Sequence, residues 1–182
     1  MNKIFGYILG ALILTSAGCG DDAAENAALA EAWLSFENKD YAVAYDQFSA
    51  MSDQTEAIVG LGWCALRLDS FAVAHDYFAS ISSENNTDAY AGWTIVGWKL
   101  KHHANVISRA EQVRNAESDY VFTHDPSVTI DDMILHEAYS HFHLGQYTQC
   151  NAMITLLDNT WSATTDQNTL LNKLESMYVD FD

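Results

Sequence analysis

Proline is almost absent: Pro126 is the only one in 182 residues, beside nine glycines. That excludes proline-rich linkers and collagen-like structure, and an apolar fraction of 49% excludes a disordered chain. Positive charge is equally scarce. Eight lysines and arginines face 25 aspartates and glutamates, a formal charge of −17. Such a surface repels phosphate backbones and anionic headgroups, so nucleic acid is not an expected partner. There is no glycine-rich phosphate loop, no nucleophile motif and no strand-like alternation of any length. Cys64 and Cys150 are an even pair that would permit a disulfide in an exported chain. Both lie inside helical patterns, where free cysteine serves as a small buried hydrophobe.

What is present begins at the N-terminus. Lys3 supplies a positive start, Ile4 to Leu14 is an apolar run of eleven, and "TSAGC" follows. This three-part pattern is that of a secretory signal, too short to span a bilayer comfortably. Ala17, Gly18 and Cys19 resemble the end of a bacterial lipoprotein signal, from which Ser16 departs because leucine or a similar residue is usual there. The resemblance implies a signal peptide over 1–18, lipidation of Cys19, and location at the bacterial cell envelope, in the outer membrane facing the periplasm or on the cell surface. Residues 19–25 then read as a polar linker. The mature chain would be one charge more negative, so its acyl chains would have to hold it without electrostatic help.

The rest repeats. "YAVAYDQFSAMS" (41–52) returns as "FAVAHDYFASIS" (71–82), identical at six of twelve positions. Trp33, Trp63 and Trp93 recur at intervals of thirty, each after a small residue (Ala32, Gly62, Gly92), and Ala138-Tyr139 stands in the same relation. Spacings of three and four put Leu29, Ala32, Trp33 and Phe36 on one helical stripe, and Tyr41, Ala44, Phe48 and Met51 on another. Polar tips separate the halves, with Asp40 and Ser70 suited to cap the second helices. Each copy is therefore a pair of antiparallel helices, and a single pair cannot bury its stripe alone. Copies are expected at about 26–52, 56–82, 86–117 and 132–158, with a loop over 118–131 and a capping helix at about 166–178 carrying Leu170, Leu171, Leu174, Met177 and Tyr178.

The pattern Leu61-Gly62 with Phe71, Ala74 and Phe78 resembles the tetratricopeptide repeat. Tyr41, Ala44 and Phe48 repeat it, and Ala138, Gly145, Tyr147 and Ile154 offer a fourth version. The third copy looks degenerate, with Lys101 and Ser108 where aromatics belong. The period of thirty, a tryptophan after the small residue, and the lack of a closing proline depart from the family. The resemblance implies an all-α fold: a right-handed α-solenoid of about four helix pairs over 26–178.

It also implies a concave groove lined by the first helices. Trp33, Trp63, Trp93, Tyr139, Phe36, Leu66 and Phe142 would line it and hold a segment of an envelope protein or peptide. Alternatives are a small or extended apolar ligand in that groove, rings that are simply core, and a hydrolase using His124 and Asp125. No cofactor is implied. His136 and His141 are five apart, about 140° around a helix, and so cannot share a metal.

Overall fold

Alanine-rich sequence opening on two aspartates favours helix from the start, because acidic groups complement the helix N-terminus. The computed structural model describes residues 21–178, in which α1 runs Asp21–Glu37. Residues 21–25, expected as linker, are thus helical, while the signal region and Cys19 lie outside the described residues. Eight more helices follow: α2 (Tyr41–Ser49), α3 (Thr55–Arg67), α4 (Phe71–Ser80), α5 (Thr87–Lys99), α6 (His103–Ala116), α7 (Ile130–His143), α8 (Tyr147–Leu157) and α9 (Gln167–Met177).

The first helices of the pairs, α1, α3, α5 and α7, touch one another in sequence to form one layer. The second helices form the other layer: α2, α4 and α6 each pack against the first helices on either side, α8 packs against α7, and α9 closes the end against α7.

All four turns within pairs share one geometry. Lys39, Asp69, Lys101 and Gly145 adopt the left-handed conformation at φ 64°, 57°, 60° and 71°. The next residue's N–H then returns five residues, as in Asp40 to the Ser35 carbonyl (3.0 Å) and Ser70 to that of Ala65 (2.8 Å). This is the Schellman closure of a helix C-terminus. Asp40 and Ser70 make no side-chain cap bond, contrary to expectation, since their backbones serve the preceding helix instead.

These turns give the true register. From 69 to 101 the step is 32 rather than thirty, because two extra residues enter between α4 and α5, at the Ser82–Glu84 turn. Trp33 and Trp63 are therefore equivalent to Ile95 and Tyr139, and not to Trp93. The third copy keeps the same turn and register, but His103 and Ala110, not Lys101 and Ser108, hold the two aromatic places, so it still departs from the pattern there. Ala44, Ala74, Val106 and Cys150 are equivalent and fully buried, as are Phe48, Phe78, Ala110 and Ile154.

Glycines set the distance between pairs. A Cβ on Gly60 would lie 2.5 Å from the Phe48 ring, and one on Gly92 2.4 Å from that of Phe78. Bare backbone on α3 and α5 admits the phenyl ring of the second helix before each.

Candidate functional site

The segment after α6, expected as a loop, is a small hairpin. Val121 and Thr129 form an antiparallel bridge. Phe122 donates its N–H to the Val128 carbonyl (2.9 Å), and Ile130 donates to that of Tyr120 (2.8 Å). At the tip, beside Pro126, the Asp125 carboxylate accepts from the Ser127 N–H (3.2 Å) and hydroxyl (2.6 Å), the pairing by which aspartate stabilises turns.

The hairpin lies on the layer of first helices and fills the place where a groove was expected. Phe122 stacks on Trp63 at 4.2 Å and meets Trp33 edge-on at 6.0 Å. His124 stacks on Trp33 at 3.8 Å and bonds Glu37 at 2.8 Å. Asp125 pairs with Arg67. The Tyr120 hydroxyl donates to Asp88 at 2.7 Å, and the Trp63 indole donates to the Asp88 carbonyl at 3.1 Å.

Burial beneath the hairpin shifts the acids there. Asp88 is raised by desolvation, against the pull of the Tyr120 bond, with Glu117 raising it further. Desolvation also raises Glu56, reinforced by Asp88 and opposed by His124 and Trp33. Tyr120 is raised by burial and then by Asp88, so it remains a phenol that donates.

The expected open groove is therefore corrected. Trp33, Trp63, Phe36, Leu66 and Tyr139 are all buried. The covering element over Trp33, Trp63 and Phe36 is the hairpin, while Tyr139 meets Tyr178 at 5.7 Å. Trp93 and Phe142 are half-buried. Trp93 stands apart because of the two-residue shift. The Arg109 guanidinium sits 3.5 Å over its ring and donates to its carbonyl at 3.2 Å. Burial pushes Arg109 down to about 10, opposed by Tyr90.

Trp98, equivalent to Phe36, Leu66 and Phe142, is the residue that sequence reasoning missed. It is half-buried between His103, His136 and Tyr139, and only the 32-residue step would have placed it.

His124 and Asp125 do not form an acid–base pair with each other. Each holds a different helix, His124 through Glu37 and Trp33, Asp125 through Arg67. His136 and His141 are likewise engaged separately, His136 with the Asp132 carbonyl (2.6 Å) and His141 with Gln146 (2.6 Å). Among the described residues no group of three or more metal-ligating side chains is gathered, and no helix is long and apolar enough to cross a membrane. Cys64 and Cys150 are separate buried thiols, pushed up to about 12 and about 11 by desolvation.

No family model matches the chain, and no curated protein does. Among solved structures it is similar to the crystal structure of a tetratricopeptide repeat protein from Parabacteroides merdae ATCC 43184, with a TM-score of 0.60 and 10% identity. The match covers 85% of this chain and 60% of that one, so the chain spans about three fifths of that structure's length. At this identity the likeness is one of fold. The described residues form an all-helical repeat solenoid whose fold is similar to that of a tetratricopeptide repeat protein.

Proposed function

We propose that the chain is a non-enzymatic interaction scaffold of the bacterial cell envelope, tethered through lipid on Cys19, that holds a segment of an envelope protein on its layer of first helices. The single observation behind this reading is the hairpin itself. Tyr120, Phe122 and His124 lie on this layer as a strand that runs into a turn, with aromatic side chains at alternate positions, fixed by Asp88, Glu37 and Arg67, which supports a partner segment of similar character. Trp33, Trp63, Phe36 and Leu66 then support the hairpin and reach a partner only through it. The direct contacts fall to the half-buried Trp98 and Phe142, farther along the same layer.

Capture of envelope proteins by the lipidated chain tests the reading. Trp98→Ala with Phe142→Ala is expected to lose the partner while keeping full helicity. Retention of the partner by this double variant would sink the contact assignment. Mass measurement of the chain, repeated on Cys19→Ala, tests the tether: an unmodified Cys19 would remove it.

A further inference from the structure

Two hydrophobic cores meet along α7, whose Ile130 and Met133 join the first, and Trp98 of α5 packs against the second. One extends from α1 through α6 and the hairpin to Met133, and the other joins α7, α8 and α9 around Tyr139, Ile154 and Leu174. Between them the packing rule of the array is reversed. Phe48 faces Gly60 and Phe78 faces Gly92, but at the next junction the equivalent residues are Ala110 and His136. The small residue is now on the second helix, and an imidazole has replaced the phenyl as the large one.

The rest of this junction is polar as well. His136, Glu137, Ser140 and His141 of α7 are all buried. Arg114 of α6 grips Glu137 with two bonds of 3.0 and 3.1 Å. His103 of α6 approaches the Ser140 hydroxyl at 3.3 Å and stacks on His143 at 4.5 Å. His141 lies 3.7 Å from Glu137. Trp98 of α5 packs against His103, His136 and His143 together.

We propose that the junction between α6 and α7 is an acid-sensitive hinge, at which protonation of His136 and His103 releases α7, α8 and α9 as a unit from the α1–α6 body. The charges around these two rings act in that direction. Lys99 of α5 works against a proton on His136, and the Asp132 carbonyl only partly offsets the desolvation that holds His136 down at about 4. His103 is lowered by burial, then by His143, Lys101 and His102. Of the carboxylates nearby, Asp132 is engaged by the Thr129 hydroxyl and N–H and Glu175 of α9 lies beside Tyr139, while Glu137, gripped by Arg114, also faces His141 at 3.7 Å, a contact that works against release and leaves His141 out of it. No charged residue of α8 faces the junction.

The sign follows from linkage. His136 is neutral when closed and regains an ordinary value near 6.5 when open, so closure is favoured above that value and weakens as pH falls toward about 4. From about pH 7 to about pH 5, His136 alone shifts the balance toward the open form by about 20-fold. Two imidazolium rings stacked at the His103–His143 distance would repel and add to this.

Hydrogen exchange on the full chain, corrected for the intrinsic effect of pH, tests the hinge. Residues 130–177 are expected to lose protection at about pH 5 by tenfold or more, while α3 and α4 keep theirs. His136→Phe should abolish most of that difference. Should it fail to fold, His103→Gln with His143→Gln, both less buried, should reduce it. The proposal is overturned if both bodies lose protection together, if neither does, or if the folded variants keep the full pH response.

Discussion

Phe48 occupies the space that a side chain on Gly60 would need: the missing Cβ would fall 2.5, 2.5 and 2.6 Å from three atoms of the ring. The contact joins the first pair of helices to the second. Gly60→Ala therefore forces either the ring or the helix to shift, and overpacking of this kind costs about 1–3 kcal/mol. The opposite change, Phe48→Ala, should cost about 3–5 kcal/mol through the cavity it leaves. The double variant should be less destabilised than the two single effects combined, because the alanine fills part of the emptied space. Urea unfolding of the three proteins measures this coupling, and strict additivity would contradict the contact.

Release of the hairpin should be visible in tryptophan emission. Asp125→Ala removes the hairpin's carboxylate from the Arg67 guanidinium and should loosen the hairpin from α3. Phe122→Ala removes a fully buried ring from the face of Trp63 and should cost about 3–5 kcal/mol. Either change should move the emission of Trp33 and Trp63 to longer wavelength with little loss of helix signal. Emission unchanged in both would mean that the hairpin does not cover these rings in solution.

The four left-handed turns make a graded series. Gly145 pays nothing for φ of 71°, whereas Lys39, Asp69 and Lys101 hold the same conformation with a Cβ. Gly145→Ala should destabilise by about 1 kcal/mol, and Asp69→Gly should be neutral or stabilising by up to about 1 kcal/mol. Thermal unfolding reads both, and a clear loss of stability in Asp69→Gly would show that its side chain does more than tolerate the turn.

Much of the architecture was legible because its causes are local. Ala44 with Phe48 and Ala74 with Phe78 announce the second helices through spacing alone, and Ala138, Tyr147 and Ile154 place the fourth pair correctly. The error in the third pair came from a coincidence: Trp93 falls thirty residues after Trp63, although the chain had gained two residues before it. The spacing matched a ring that points elsewhere and hid Trp98. The hairpin was illegible for a different reason. His124 and Glu37 stand 87 residues apart, and Asp125 and Arg67 stand 58 apart. No local pattern in "THDPS" says which helix each side chain will meet.

Those long separations bear on how the chain assembles during synthesis. In an ordinary repeat array each unit settles against its neighbour, so growth can proceed one pair at a time. Here the rings of α1 and α3 receive their cover from residues made after α6. A nascent chain that has reached only α4 would present Trp33 and Trp63 bare, and a truncated one would do so permanently. The first pair thus waits for the third to be finished, and the array matures as a closed loop rather than as a growing row.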